Sequence, residues 1–308
     1  MKVFAPNYYK KFSCIADKCK HSCCIGWEID IDDATYEQYK NINTDFGKKL
    51  NDNIVFNDDT AYFKLTDNER CPFLNEKNLC EIILNIGENS LCQICNDHPR
   101  FKNFYGDRVE IGLGLTCEEV ARIIVNEIDD FKLIEIDETC EIGNDYDDET
   151  AFFNIRNEIF RTIESENSFE TVIEKMLNKF NIKFPQISNC KWVDIYLDLE
   201  RLDDKWSEML KKLKETDNIP FTLPKPQEKS LKNLMIYFIY RHLGECVYDG
   251  NFNGRLLFAI ISCYMISELC KIGYNIEEVA RMYSSEIEYS DENLNKLIDL
   301  LQETSLED

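Results

Sequence analysis

The stretch Cys14-Ile-Ala-Asp-Lys-Cys19-Lys-His-Ser-Cys23-Cys24 decides how this chain of 308 residues is interpreted. It places four cysteines within eleven residues. Five more cysteines follow before residue 118, namely Cys71, Cys80, Cys92, Cys95 and Cys117. Short spacings of this kind bring several thiolates within reach of one metal centre, which scattered core cysteines do not do. The pattern therefore predicts a cysteine-rich metal-binding domain in the first part of the chain.

The charge of the chain limits its partners. With 58 acidic and 35 basic residues, the net charge is −23. This charge repels phosphate backbones, so we expect no nucleic-acid partner. It suits a basic substrate such as a lysine side chain. An acidic surface without a specific target is the simpler alternative.

Nothing in the sequence predicts export or a membrane. Met1 to Asn7 runs directly into polar residues and lacks the apolar core of a signal peptide. The longest apolar run, Leu256 to Ile266, is far shorter than the roughly 20 residues of a membrane span, so it predicts a buried helix. We therefore expect a cytoplasmic protein. In a reducing compartment, 14 cysteines favour metal or redox chemistry over a disulfide framework.

The predicted fold is α+β and mainly α. A small cysteine-rich metal-binding domain with short strands (1–140) is followed by an all-α domain (150–308), with the acidic stretch 141–149 as the linker. Gly87 is expected to end one helix, and Thr116 with Glu119 to begin another as a capping box. Strands are predicted within 1–13 and at 27–31, 61–65, 108–113 and 131–137. Helices are predicted from 32 or 33 to 41, from 79 to 86, from 116, and at 151–164, 169–180, 192–213, 228–247, 254–272, 276–287 and 291–303.

Thiolates are soft ligands that select zinc, Cu(I) or iron–sulfur clusters over magnesium or calcium. Cys92-Gln-Ile-Cys95 is the only CxxC pair. A redox dithiol is an alternative for this pair, although no predicted strand leads into it. The later cysteines are interpreted as small buried hydrophobic residues; they are Cys140, Cys190, Cys246, Cys263 and Cys270.

An ordered set of motifs within residues 7–125 resembles the flagellin lysine N-methylase family, which is related to zinc- or iron-chelating cysteine-cluster proteins. The resemblance implies S-adenosylmethionine-dependent methylation of lysine side chains on flagellin. It also implies an iron–sulfur cluster of the four-iron (4Fe-4S) type, with zinc as the alternative metal. The motifs are Phe12-Ser13-Cys14, Cys19, Cys23-Cys24 with Gly26-Trp27, Cys71-Pro72-Phe73-Leu74 with Leu79-Cys80, Cys95 with Pro99-Arg100-Phe101, and Leu115-Thr116-Cys117.

The resemblance implies eight ligand candidates and leaves out Cys92. Eight thiolates exceed the needs of one cluster, so either a second metal site or several cysteines that are not ligands must follow. A second hypothesis for the whole chain is a non-catalytic zinc- or iron-binding module that docks a protein partner. The eight candidates are Cys14, Cys19, Cys23, Cys24, Cys71, Cys80, Cys95 and Cys117.

Other residues are candidates for binding the methyl donor or a metal. Arg100 and Arg108 could pair with the carboxylate of S-adenosylmethionine, with ordinary salt bridges as the alternative. The segment Glu110-Ile-Gly-Leu-Gly114 resembles the glycine loop of a nucleoside site, although it lacks a third glycine. Its alternative role is a strand end that positions a cysteine. His98 and His21 are possible metal ligands, with surface or capping roles as the alternative.

Methyl transfer to lysine requires the deprotonated amine, whose ordinary pKa is near 10.4. A carboxylate, tyrosine or histidine could serve as the base. Tyr105, Glu110 and His98 are candidates, and the sequence does not select one of them.

Overall fold

The computed structural model describes residues 2–106, 108–136, 149–216 and 225–306. The predicted linker, except for Glu149, and Cys140 lie outside these residues. The chain divides into two compact units, Ser13–Phe101 (the cysteine unit) and Met1–Phe12 with Lys102–Asp308 (the helical unit). The sequence analysis expected a boundary between 140 and 150, whereas the structure groups residues 102–136 with the helices.

The described elements confirm an α+β fold that is mainly helical. The strands are β1 (Lys2–Pro6), β2 (Asp30–Ile31), β3 (Ile54–Asn57), β4 (Thr60–Phe63), β5 (Arg100–Tyr105), β6 (Arg108–Leu113) and β7 (Leu133–Ile136). The helices are α1 (Asp33–Lys40), α2 (Asp45–Asp52), α3 (Glu81–Ile86), α4 (Gln93–Asp97), α5 (Glu118–Glu127), α6 (Thr150–Ser165), α7 (Phe169–Phe180), α8 (Asn189–Leu197), α9 (Asp204–Glu215), α10 (Lys225–His242), α11 (Cys246–Asp249), α12 (Phe252–Lys271), α13 (Ile276–Tyr283) and α14 (Asp291–Leu306).

The cysteine unit is built on the antiparallel sheet β2-β4-β3 and short helices. Asp32 begins α1 as predicted, because its side chain accepts the Thr35 amide proton at 3.0 Å. Gly87 ends α3 with a φ of +89°, a conformation that favours glycine. The core is aromatic: the ring of Phe63 lies 6.2 Å from that of Tyr39 and 4.9 Å from that of Phe73. This core fixes the segments that carry the clustered cysteines.

The helical unit contains the sheet β5-β6-β1-β7, in which β1 is parallel to β6 and antiparallel to β7. The part of the chain predicted as all-α therefore packs in one unit with strands from the first part. Its central helix is α12, whose side chains are mostly buried. By length and composition α12 could cross a membrane, but most of it is buried within the protein, as in an ordinary core helix. This agrees with the buried helix predicted around 256–266.

Three helix predictions were wrong in detail. Cys117 rather than Thr116 precedes α5, and Glu119 pairs with Arg122 instead of closing a capping box. The predicted helix 192–213 is two helices, α8 and α9, because Asp203 caps a new helix through the Lys205 amide. The predicted helix 276–287 ends at Tyr283 and continues as a π-helical turn over Ser284–Glu288.

A buried ion pair joins the sheet of the helical unit to α6. Glu110 on β6 is completely buried, and Arg156 on α6 donates to both of its carboxylate oxygens, at 2.8 and 2.6 Å. Arg108 pairs with the same carboxylate. The guanidinium of Arg108 lies against the rings of Phe4 and Phe153, 4.1 and 4.4 Å from their centroids. One carboxylate thus holds two guanidinium groups in an aromatic setting.

We predict that Glu110→Gln lowers the free energy of unfolding of the helical unit by about 3–5 kcal/mol, because Arg156 is left buried without a counter-charge. Chemical denaturation followed by circular dichroism measures this change. The control is Glu135→Gln, which removes an exposed pairing with Lys2 on the same sheet and should cost less than about 1 kcal/mol. Equal effects of the two substitutions would contradict the prediction.

Candidate functional site

Five thiols converge on the core of the cysteine unit, and we call them the inner thiols: Cys24, Cys71, Cys80, Cys92 and Cys95. Cys71 and Cys92 are buried in the core, and the other three pack against it. The Cys71 amide donates to the Cys24 carbonyl at 2.8 Å, and Leu74 forms a β-bridge with Cys80. Four of the eight predicted ligands therefore come together, and Cys92, which the prediction left out, lies among them.

Backbone amides donate to several of the inner sulfurs. The Phe73 amide donates to the sulfur of Cys71, and the Ile82 and Ile83 amides donate to the sulfur of Cys80. The Cys95 amide donates to the sulfur of Cys92. Such N–H···S bonds stabilise a thiolate in an apolar core and are a feature of cysteine-bound metal centres.

The inner thiols differ in their protonation. The thiol of Cys95 hydrogen-bonds to the sulfur of Cys92, which lowers the pKa of Cys92 and raises that of Cys95, so this pair shares one proton readily. A hydrogen bond from Cys23 lowers the pKa of Cys24 to about 7. Burial raises the pKa of Cys71 to about 12 and also raises that of Cys80. The charge on Cys24 adds to the raised pKa values of Cys71, Cys80 and Cys95, which places these sulfurs in one electrostatic neighbourhood.

The remaining predicted ligands lie apart from this core. We call Cys14, Cys19 and Cys23 the outer thiols; Cys14 and Cys23 are exposed and Cys19 is half-buried. The Cys19 thiol donates to the His21 carbonyl at 3.3 Å. Cys117 belongs to the helical unit, where it precedes α5. Metal ligation by each of the eight cysteines stays a prediction.

The inner thiols fit a soft metal in their chemistry, although their arrangement does not surround one point. All the described cysteines are reduced. Within residues 2–106, 108–136, 149–216 and 225–306, no group of three or more His, Cys, Asp or Glu side chains is placed to hold a metal ion. The CxxC pair begins the five-residue helix α4 and follows a 3₁₀ turn (Glu88–Ser90) instead of a strand.

The other predicted site residues have partners within the protein. Arg100 donates to the Asn96 carbonyl at 3.3 Å, and Arg108 pairs with Glu110. Burial, with a smaller contribution from Arg100, lowers the pKa of His98 to about 4. The Nε2 atom of His98 is buried with no hydrogen-bond partner, and its ring centroid lies 6.1 Å from that of Trp27. His98 is therefore a neutral imidazole at pH 7.

The glycine-containing loop after β6 is buried. Its strand is parallel to β1 and leads into α5, as a nucleoside-binding loop would require. However, the amide of Leu115 donates to the hydroxyl of Tyr237 at 3.2 Å. This contact favours the alternative interpretation, in which the loop positions the start of α5 and Cys117.

A second polar cluster, absent from the sequence predictions, lies in the helical unit around Glu288. The side chain of Glu288 is completely buried in the π-helical turn. Its carboxylate accepts from the Tyr237 hydroxyl at 3.0 and 3.1 Å and from Nε2 of His242 at 2.5 Å. Arg241 lies 3.5 Å away and donates to the Tyr237 hydroxyl at 2.7 Å. We call these four residues the Glu288 network.

The Glu288 network keeps a negative charge in the interior. Burial alone would raise the pKa of Glu288, but the charge of Arg241 and the hydrogen bond from His242 outweigh it and lower the pKa to about 2. Burial lowers the pKa of His242, so that ring is neutral at pH 7. At the edge of the network, the exposed Tyr289 lies with its ring centroid 5.1 Å from the guanidinium of Arg241. Single π-helical turns within helices are frequent at functional sites.

The comparisons with known proteins concern the helical unit above all. A model of the FliB lysine N-methylase C-terminal domain matches residues 110–308, which is well over half of the chain. These residues contain the Glu288 network and Cys117, and they define a class of protein-methylating enzymes. The chain belongs to the FliB lysine N-methylase family, as the cysteine motifs predicted.

Curated relatives carry related names. The lysine-N-methylases of Salmonella typhimurium (strain LT2) and Salmonella choleraesuis (strain SC-B67) are each 31% identical to the chain over 139 residues, or 43% of the chain and 35% of the relative. The flagellar biosynthetic protein FliU of Salmonella muenchen is 31% identical over 139 residues, or 82% of its length. The chain thus spans about a third of the length of the two lysine-N-methylases. No solved structure matches the chain.

We predict that Glu288→Gln flattens the acid limb of the stability profile. The folded-state pKa of about 2 lies below the ordinary value of 4.5, so the unfolded chain takes up the proton first on acidification. The stabilisation by Glu288 is therefore full above about pH 4.5 and is lost as the pH falls towards about 2. Urea unfolding at neutral pH should show a less stable variant, and the difference from the unaltered chain should shrink at pH 3.

The control for this prediction is Glu292→Gln, which removes an exposed carboxylate paired with Lys296 in the adjacent helix α14. It should follow the unaltered chain at each pH. A constant difference between Glu288→Gln and the unaltered chain from neutral pH to pH 3 would show that Glu288 is not held ionised in the fold.

Proposed function

We propose that this protein is a lysine N-methylase that transfers methyl groups from S-adenosylmethionine to lysine side chains of flagellin. The observation that carries the proposal is the family match over residues 110–308. The names of the relatives, lysine-N-methylase and flagellar biosynthetic protein, support the reaction and the flagellar substrate. A non-catalytic metal-binding module would share the cysteines but would not account for the match in the helical unit.

The reaction is a nucleophilic substitution at a methyl carbon. The lone pair of lysine Nζ forms the new N–C bond, the C–S bond of the sulfonium breaks, and its electron pair stays on sulfur as the neutral thioether leaves. The amine must first lose its proton to a base or to water. Desolvation in an apolar site assists this step by lowering the lysine pKa.

The structure narrows the candidates for the base. Glu110 is taken by two guanidinium groups, and burial raises the pKa of Tyr105, which keeps that phenol protonated. His98 is neutral, but its pKa of about 4 makes it a weak base. Glu288 stays ionised but is enclosed by its own partners. We assign none of these four residues to proton removal, which leaves water or the substrate's surroundings for that step.

The charge of the chain supports a basic protein substrate. A net charge of −23 attracts exposed lysines and raises the rate of encounter with a lysine-bearing surface. We assign substrate docking to the helical unit, because the family match lies there. We place the reaction in the cytoplasm, where S-adenosylmethionine and newly made flagellin would meet.

The proposed cofactor besides S-adenosylmethionine is an iron–sulfur cluster of the four-iron type, held by cysteines of the cysteine unit. The donor chemistry supports it, since five thiols share one core and three of them accept amide protons. An iron atom with an open coordination position would supply a binding point for the amino and carboxylate groups of the methyl donor. Zinc is the alternative metal, and elemental analysis separates the two.

We predict that the purified protein, prepared without oxygen, adds methyl groups to flagellin in the presence of S-adenosylmethionine. Intact-mass and peptide mass spectrometry should show increments of one methylene group on lysine-containing peptides. Reactions without S-adenosylmethionine, and flagellin whose modified lysines are replaced by arginine, serve as controls. A protein that carries its metal and binds flagellin without any mass increment would instead support the non-catalytic module.

A further inference from the structure

We infer that Cys92 is a metal ligand and that, within the cysteine unit, the metal centre draws its ligands from the inner thiols and from none of the outer thiols. This inference rests on the metal centre included in the proposed function. It differs from the ligand set implied by the family resemblance, which omits Cys92 and includes Cys14, Cys19 and Cys23.

The first argument is the position of the Cys92 sulfur. Cys92 is completely buried, yet its sulfur hydrogen-bonds to the Cys95 thiol and also accepts the Cys95 amide proton. A CxxC pair at the start of a helix turns both sulfurs to one side, which is the arrangement that two ligands of one metal need. The sulfurs of Cys92 and Cys95 are thus already in contact.

The second argument is a second pair of sulfurs in the same core. Cys71 and Cys80 lie on neighbouring segments, linked by the bridge between Leu74 and Cys80. Both sulfurs accept backbone amide protons. Hydrogen bonds of this kind tune and stabilise metal-bound thiolates. Two supported pairs in one core supply the four thiolates that a tetrahedral zinc or a four-iron cluster requires.

A buried cysteine that only fills space looks different in this protein. Cys263 on α12 is completely buried, and its thiol donates to the Leu231 carbonyl at 3.7 Å, as a neutral thiol does. Its pKa is raised by burial alone, with no amide donor opposing the rise. Cys71 and Cys92, buried to a similar degree, each receive an amide proton. The contrast favours a thiolate role for the inner thiols over simple packing.

The outer thiols lack this support. Cys14 and Cys23 are exposed. The Cys19 thiol donates to a backbone carbonyl, which is the role of a protonated sulfur. Because the inner sulfurs do not surround one point as they stand, metal binding must re-aim them. Rotation about the single χ1 bond of each cysteine moves its sulfur among three staggered positions.

The test compares three altered forms of the full-length protein with the unaltered chain, each purified without oxygen and reconstituted either with iron and sulfide or with zinc. The first form is Cys92→Ser. The second combines Cys14→Ser, Cys19→Ser and Cys23→Ser. The third, Cys263→Ser, is the matched control for altering a buried cysteine. Metal and sulfide content, X-ray absorption at the metal edge and resistance to a chelator are measured for each.

We expect Cys92→Ser to lose metal at chelator concentrations that leave the unaltered chain loaded, with an affinity lower by about tenfold or more. The triple form and Cys263→Ser should keep the metal content and the number of sulfur ligands of the unaltered chain. Circular dichroism verifies the fold of Cys92→Ser. If that form does not fold, the triple form decides the inference, because its substitutions lie at exposed or half-buried positions.

Full metal content in folded Cys92→Ser would overturn the inference, as would loss of metal from the triple form. An unaltered chain that takes up neither zinc nor an iron–sulfur cluster would also overturn it. Methyl transfer to flagellin is measured on the same samples. A loaded protein without transfer refutes the proposed activity and leaves the ligand assignment standing, whereas transfer by a metal-retaining Cys92→Ser refutes the assignment alone.

Discussion

The helical unit depends on the carboxylate of Glu110, which is buried between guanidinium groups from a strand and from a helix. Removing a charged group from water costs several kcal/mol, and only an arrangement that satisfies it from more than one side is stable. That requirement fixes β6, α6 and the aromatic rings between them at one geometry. Since β6 leads into α5, and the loop between them donates to Tyr237, the same constraint sets the position of the Glu288 network. A family defined by residues 110–308 thus begins at the residue on which this packing rests.

Sequence patterns predicted elements wherever one face of the element meets an apolar core. The predicted limits of β6 and α7 agree with the structure, because apolar periodicity continues to the end of each. Periodicity failed where polar side chains interrupt an apolar repeat: Asp203 caps a new helix within the predicted 192–213. Local motifs also failed when a distant or neighbouring side chain took their partner, as Arg122 takes Glu119. Pairing between β1 and β6 could not be predicted, because about a hundred residues separate the strands and only tertiary packing joins them.

The candidate site was predictable in its chemistry and less so in its membership. Spacing identified the cysteine-rich region, but spacing cannot distinguish an exposed Cys14 from a buried Cys92, since burial is decided by segments remote in sequence. The Glu288 network was missed, because an acidic residue in an acidic chain gives no indication that it will be buried. One pattern could have revealed it: Tyr237, Arg241 and His242 are polar groups on an otherwise apolar helix, and buried polar groups need partners.

The cysteine unit is inserted between β1 and the rest of the helical unit. During synthesis, β1 leaves the ribosome first but has no partner until β6 and β7 have been made. The inserted unit, whose strands and helices pair among neighbours in sequence, is complete before that point. Domains generally fold as units in the order of synthesis, so the earlier strand waits while the later unit closes. The thiols are thereby gathered, and able to receive metal, before the helical unit exists.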